Sequence, residues 1–270
     1  MTELSFRLPH ERLRPFLKMY FYGRDPAPPA VQRIVPNGEM GLCFYRGDRV
    51  DYAGCGPVVS CLSGQSVRWQ DILATGGIEI VGAHFTTLGA GLFFQAPLHE
   101  YFGRAVPLSD LSDPSLLELE DRVLSAPGPL QAWAAMDAFF LRRVDGAAPD
   151  ILTLRRLYRA LAYSRLHVSG LRVGDIASEA CLSERQFSRL FAEKVGLSPK
   201  DYLRLQRYHR TLHDLKSSLP GTATLTEVAW RNGYYDFSHL TTDFRKISGY
   251  APSSLLEVSA NDGDPAGWRI

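Results

Sequence analysis

A chain of 270 residues with 45% hydrophobic, 22% charged and 11% aromatic side chains is long enough for two domains. Its composition is that of a soluble globular protein, which excludes a disordered, fibrous or disulfide-stapled fold. The formal net charge of +1 hides an asymmetry: residues 151–258 carry 16 Lys and Arg against 10 Asp and Glu, a balance of +6, and the remainder carries 14 against 19, or −5. A basic, nucleic-acid-facing part joined to a mildly acidic part with another task fits that split.

The opening MTELSFRLPHERLRPFLK has charged residues through every apolar stretch, so it offers no signal-peptide core. No run approaches the roughly 18 apolar residues of a membrane helix. Cys43, Cys55, Cys61 and Cys181 form no CxxC pair, which reads as reduced thiols in a cytoplasm, with a regulatory thiol among the first three as a minor alternative. From about 30 to 110, short Gly-, Val- and aromatic-rich runs such as IVPNGEMGLCFYRGD and GGIEIVGAHF, punctuated by turn residues, predict a small β-rich domain. Helical spacing follows between about 113 and 150, in Leu116, Leu117, Leu119, Val123 and Leu124, then Trp133, Met136, Phe139 and Phe140 after a PGP break. The segment GAAPD at 146–150 reads as a helix stop followed by a helix start. These boundaries predict a sensor or dimerisation domain over 1–112, a helical connector over 113–149, a helical domain over 150–258 and a frayed tail over 259–270.

The helical part contains a degenerate repeat. Aligning FSRLFAEKVGLSP (187–199) with LTTDFRKISGYAP (240–252) superposes Phe191 on Phe244, Gly196 on Gly249 and Pro199 on Pro252 at a shift of 53. Upstream, Ile176-Ala177 matches Val228-Ala229 at a shift of 52. Each copy reads as a helix, a short turn and a second helix opening on a capping residue, Ser183 or Asp236, and ending in glycine. That is the form of a helix-turn-helix, over about 171–193 and 223–247, whose second helix enters the major groove. Arg185, Ser188 and Arg189 lie on the outward face in the first copy, and Phe237, Ser238, His239 and Thr242 in the second. An arginine so placed can donate two hydrogen bonds to guanine O6 and N7. The charged helix KDYLRLQRYHRTLHDLK (200–216) joins the copies, with Tyr202, Leu203, Leu205, Leu212 and Leu215 to pack on both. Lys200, Arg204, Arg207 and Arg210 on it, and Arg245 and Lys246 beyond, are candidate phosphate contacts. A connector of this length can hold two recognition helices about one duplex turn, roughly 34 Å, apart.

Residues from about 150 to 258 resemble the DNA-binding domain of the AraC/XylS family of transcriptional regulators. The resemblance rests on IASEACLSERQFSRLFAEKVGLSP, the linker helix with Arg207, and VAWRNGYYDFSHLTTDFRKISGYAP. The last stretch places Ala229, Gly233, Tyr234, Asp236, Ser238, His239, Leu240, Phe244, Gly249 and Pro252 on the family signature. The N-terminal portion, including LRPFLKMYFYGR, RIVPNGEM and IEIVGAHFTTLGAGLFFQAPLHEYFGRAVPLSDL, is similar to an effector-type domain often fused to this module, with Thr86, Thr87, Leu88 and Gly89 where an Arg-Pro-Gly-Gly run is common. The resemblance implies an α+β N-terminal domain followed by an all-α, homeodomain-like double helix-turn-helix. It implies double-stranded promoter DNA as partner, with RNA polymerase, a small-molecule effector and a second copy of the chain as further candidates. Many members carry Gln at the position of Phe237 and Arg at that of Thr242. This departure predicts that the first unit supplies most base specificity here and the second shape fit, a thymine-methyl contact and phosphate contacts.

The effector site is not assigned by sequence; Phe44, Tyr45, Tyr52 and Trp69 on predicted strands are the candidates for a pocket lining. His84, His99 and the first three cysteines lack metal-ligand spacing, so neither metal nor cofactor is expected. With no GxSxG elbow, no phosphate loop and no paired carboxylates, catalysis is not expected, although a His99-Glu100 dyad leaves an N-terminal enzyme as an alternative. A Pro-Cys-His context like that of DNA-repair methyltransferases is missing. A helical protein-interaction adaptor is the other alternative, distinguished by the steep salt dependence that DNA binding alone would show.

Overall fold

A computed structural model of the chain describes residues 3–29, 31–52, 55–94, 96–147, 150–167, 170–217 and 224–254. The expected frayed tail and position 223 lie outside the described residues. The strands are β1 (Glu3–Arg7), β2 (Leu17–Asp25), β3 (Val31–Ile34), β4 (Gly41–Tyr45), β5 (Val50–Tyr52), β6 (Pro57–Val58), β7 (Ser60–Ser63), β8 (Gln70–Ala74), β9 (Ile78–Phe85) and β10 (Ala105–Pro107). They form two antiparallel sheets, one in the order β1-β2-β9-β4-β7-β10 and a smaller one in the order β3-β8-β5-β6. The short helix α1 (Ala90–Phe93) precedes β10, and α2 (Pro114–Leu124) and α3 (Pro129–Gly146) follow it.

The central strands β9 and β4 of the larger sheet are buried on both faces, while its edge strand β1 is exposed, and strand parity decides which side chain goes where. Leu42, Phe44, Leu62, Val81, Ala83 and Phe85 point to one face, where they form a core with Trp133, Met136 and Phe140 of α3 and Leu116 and Leu119 of α2. Phe21, Cys43, Tyr45, Cys61 and Ile80 point to the other, against Val50, Tyr52 and Ile72 of the smaller sheet. The helices expected as a connector therefore cover one face of the larger sheet, and Leu116, Leu119, Val123, Trp133, Met136, Phe139 and Phe140 are buried in packing within the chain, while Leu117 stays exposed. Gly82 sits where a Cβ would lie 2.5 Å from the Leu42 carbonyl oxygen, so β4 and β9 come together only around a residue with no side chain.

From residue 150 the described chain is helical: α4 (Ile151–Leu166), α5 (Val173–Glu179), α6 (Glu184–Val195), α7 (Pro199–Ser217), α8 (Leu225–Arg231) and α9 (Phe237–Ser248). One core, including Ile176, Phe187, Phe191, Tyr208, Leu240 and Phe244, runs through both repeats and takes in Val35 and Leu88 from the N-terminal part. The fold is thus a sheet-rich N-terminal domain followed by a helical C-terminal region. No helix of the described residues is long and apolar enough to cross a membrane.

Candidate nucleic-acid interface

The two repeats build the same object. In the first, Ser183 caps α6: its Oγ accepts the Gln186 N–H at 3.3 Å, and the Gln186 side chain accepts the Ser183 N–H at 3.2 Å, a reciprocal capping box. In the second, Asp236 caps α9 by accepting the His239 N–H at 2.7 Å. Each helix then stops on a left-handed glycine, Gly196 at φ +88° and Gly249 at φ +79°. The turns match as well. The Leu182 N–H donates to the Ala177 carbonyl at 3.1 Å and the Tyr234 N–H to the Ala229 carbonyl at 3.0 Å. Both turns need a left-handed residue just before that donor. The second uses Gly233 at φ +78°, the first Cys181 at φ +55°, a conformation costing a side-chain-bearing residue about 1–2 kcal/mol.

The predicted reading residues sort unequally. Arg185 and Arg189 are exposed and Ser188 is half-buried on α6, while Ser238, His239 and Thr242 are exposed on α9. Phe237 is half-buried and packs on the helical core, so less of its ring is offered outward than the sequence face implied. The His239 ring nitrogen Nδ1 lies 3.4 Å from the Tyr235 N–H and accepts it, which leaves Nε2–H as the outward donor of the neutral ring.

A cleft of about 820 Å³ between the units gathers Lys200, Arg204, Arg207, His239, Thr242 and Lys246 into one wall. Arg245 is exposed on α9 but lies outside that lining. Two cations in the cleft are not free for phosphate. The Arg204 Nε donates to Asp243 Oδ1, Arg207 Nη2 lies 3.5 Å from Asp243 Oδ2, and the Tyr234 hydroxyl donates to Oδ2 at 3.1 Å. Asp243 is only 6% exposed, and the Arg207 guanidinium also stands 4.4 Å over the Tyr234 ring. Burial and then the Asp243 charge push the Tyr234 hydroxyl up. This four-residue cluster ties α7 to the second unit, and sequence reasoning missed its anchor because an aspartate in mid-helix reads as a solvated face.

The pattern is also recognised by comparison with known proteins. Residues 176–257 match the sequence profile of the helix-turn-helix domain family, and residues 5–107 that of a domain of unknown function, DUF6597. Residues 176–257 are an AraC-type helix-turn-helix domain. The transcriptional activator RhaS of Escherichia coli O1:K1 is 32% identical over 82 residues, 30% of this chain and 28% of RhaS. The chain thus matches under a third of the length of these curated relatives. Among solved structures, the DNA-binding domain of AdpA in complex with a target DNA is 27% identical, over 40% of this chain and 96% of that one, at a TM-score of 0.36. ToxT of Vibrio cholerae is 12% identical, over 87% of this chain and 98% of its own, at a TM-score of 0.46.

Outside the AraC-type domain, a cavity of about 70 Å³ lies between the two sheets, lined by Phe21, Cys43, Tyr45, Tyr52, Ile72 and His84 among others. Of the four pocket candidates, Tyr45 and Tyr52 line it. Phe44 faces the helical layer instead, because neighbours on a strand point to opposite faces, and Trp69 lies outside against the Arg33 guanidinium, 3.6 Å from its ring centroid. The Tyr52 hydroxyl is 2.9 Å from Ser63 Oγ, whereas the buried Tyr45 hydroxyl has no hydrogen-bond partner among the described residues. Cys43 and Cys61 sit opposite each other on β4 and β7, and their mutual hydrogen bond, then burial, push the Cys61 thiol up. No group of three His, Cys, Asp or Glu side chains among the described residues is placed to hold a metal.

Burial, and next the Lys18 charge, hold the His84 imidazole down at about 4. The unfolded chain takes up that proton near pH 6.5, so it binds more protons than the folded state between those values. Stability is therefore complete above about pH 6.5 and is expected to fall by up to about 1.4 kcal/mol per pH unit as the pH drops toward 4. Urea unfolding at pH 7 and pH 5 checks this, and His84→Gln should flatten the difference; an equal pH dependence in both proteins would exclude His84 as its source.

Proposed function

We propose that the protein is a sequence-specific DNA-binding regulator of transcription, acting on promoter DNA in the cytoplasm, with α6 and α9 entering successive major-groove segments. The reading is carried by two like units, each with a capped helix whose polar face is left exposed, flanking one basic cleft. In this assignment Arg185 and Arg189 read bases from the first unit, with Ser188 beside them. Ser238, His239 and Thr242 serve the second, and the exposed edge of Phe237 is left for a thymine methyl. Lys200, Arg245 and Lys246 meet phosphates, whereas Arg204 and Arg207 hold the second unit in place through Asp243. The cavity between the sheets is the effector site, and its lining suits a small ligand with a group to satisfy the Tyr45 hydroxyl.

The test is binding of the full chain to a duplex selected from a random-sequence library, followed across salt. With the three phosphate contacts of Lys200, Arg245 and Lys246, the logarithm of the binding constant should fall against the logarithm of salt with a slope of roughly −3. Lys246→Ala should reduce that slope by about 1 without changing the selected sequence. A flat salt response, or no selected duplex, would favour the protein-interaction adaptor.

A further inference from the structure

We infer that the wall of the cavity between the two sheets is also the clamp on both helix-turn-helix units, so that filling the cavity and positioning the two recognition helices are one coupled event. The inference rests on the reading of that cavity as the effector site. The decisive element is the ribbon 64–70, whose side chains alternate between two tasks. Gly64, Ser66, Arg68 and Gln70 line the cavity. Gln65, Val67 and Trp69, between them, face the helical domain.

Each outward residue makes a hold. Gln65, 1% exposed, donates from Nε2 to the Val195 carbonyl at 2.8 Å, occupying a terminal acceptor of the first recognition helix. Val67 packs on the helical core. Trp69 and Arg33 stack beside the end of the second recognition helix: the Arg33 guanidinium is 5.3 Å from the Tyr250 ring. Asp71 fixes that guanidinium with hydrogen bonds of 2.9 and 3.2 Å. A neighbouring cavity segment adds a hold on the helix between the units, where His209 Nε2 donates to the Pro36 carbonyl at 2.8 Å.

The fit at the second unit is close. A Cβ on Gly249 would lie 2.5 Å from the Arg33 guanidinium and 3.0 Å from the Trp69 indole nitrogen. A cavity wall pushed outward by a fraction of an ångström must therefore shift the end of one recognition helix or break a hold, because close-packed contacts switch rather than stretch. Coupling of this kind is reciprocal: freeing the holds must also loosen the cavity wall.

Hydrogen exchange on the full-length chain, read by mass spectrometry, tests this without a known effector. Cys43→Phe fills the cavity from the larger sheet and Ile72→Trp from the smaller one. Both are expected to speed exchange of the Gly249 and Tyr250 amides at least threefold while leaving α3 unchanged. The double variant Gln65→Ala/Trp69→Ala, altered only on the outer face of the ribbon, is expected to speed exchange in β4 and β8 in return. Unchanged rates at Gly249 and Tyr250 in a folded cavity variant, or unchanged β4 and β8 in the double variant, would overturn the coupling. On a duplex selected with the unaltered chain, Cys43→Phe should shift the Kd at least threefold. Failure to select any duplex would instead count against the transcriptional reading, while the exchange result decides the coupling by itself.

Discussion

Alanine at both Arg185 and Arg189 is expected to weaken binding to a selected duplex by about 3 kcal/mol or more, roughly a hundredfold, and to relax specificity at one or two base positions. The two residues are four apart on α6, so they stand one above the other on the same face. Both are exposed, and neither has an ion pair among the described residues. Nothing in the fold is spent on them, so the thermal unfolding of the variant should match that of the parent within about 0.5 kcal/mol. The capping box at Ser183 and Gln186 and the buried pair Phe187 and Phe191 keep the helix in place without them. Titration of the double variant against the parent duplex and single-base variants of it checks the claim. If its affinity were intact while Thr242→Ala abolished binding, the second unit would be the reader and the unequal division between the units would be reversed.

Replacing Asp243 with alanine should act on stability first. It removes the carboxylate that accepts hydrogen bonds from Arg204, Arg207 and the Tyr234 hydroxyl. The two guanidiniums stay about three-quarters buried, at 25% and 26% side-chain exposure. Removing one partner of a buried pair leaves uncompensated charge, and here the expected loss is about 3 kcal/mol. That corresponds to a melting midpoint lower by roughly 6–12 °C in a chain of this size. Asp243→Asn, which keeps a hydrogen-bond acceptor and drops the charge, should fall between the two. The variant also separates the roles of the cleft cations. Arginines released from Asp243 become available to phosphate, so Asp243→Ala should steepen the salt dependence of DNA binding even as it lowers stability. Calorimetry with binding measured at three salt concentrations reads both, and a destabilised variant with an unchanged slope would show that Arg204 and Arg207 do not reach DNA even when free.

The division between what could be read from residues and what could not follows the range of the interactions. The repeat at a shift of 52–53, the caps at Ser183 and Asp236 and the stops at Gly196 and Gly249 were legible because each is settled within about four residues by backbone hydrogen bonding and by the left-handed conformation that glycine accepts. The β-rich character of about residues 30–110 was legible from turn residues and short apolar runs, whereas the strands Glu3–Arg7 and Leu17–Asp25 ahead of them were not. Strand parity was not legible either, since a strand buried on both faces has apolar residues on both, and Phe44 and Tyr45 look alike until a helical layer and a second sheet take opposite sides.

The charge on Arg204 and Arg207 was evident from the sequence, but its use was not. Asp243 lies 36 residues beyond Arg207, and only the packing of α7 against α9 decides that these arginines face a carboxylate rather than a phosphate. The ribbon 64–70 belongs to the same class, because its alternation acquires meaning only from what stands on each side. The sequence by itself determined that the chain carries two like helical units built to present polar side chains. The tertiary structure decided which of those side chains are free and what holds the two units together, because burial, ion pairing and docking are fixed by contacts between segments far apart in the chain.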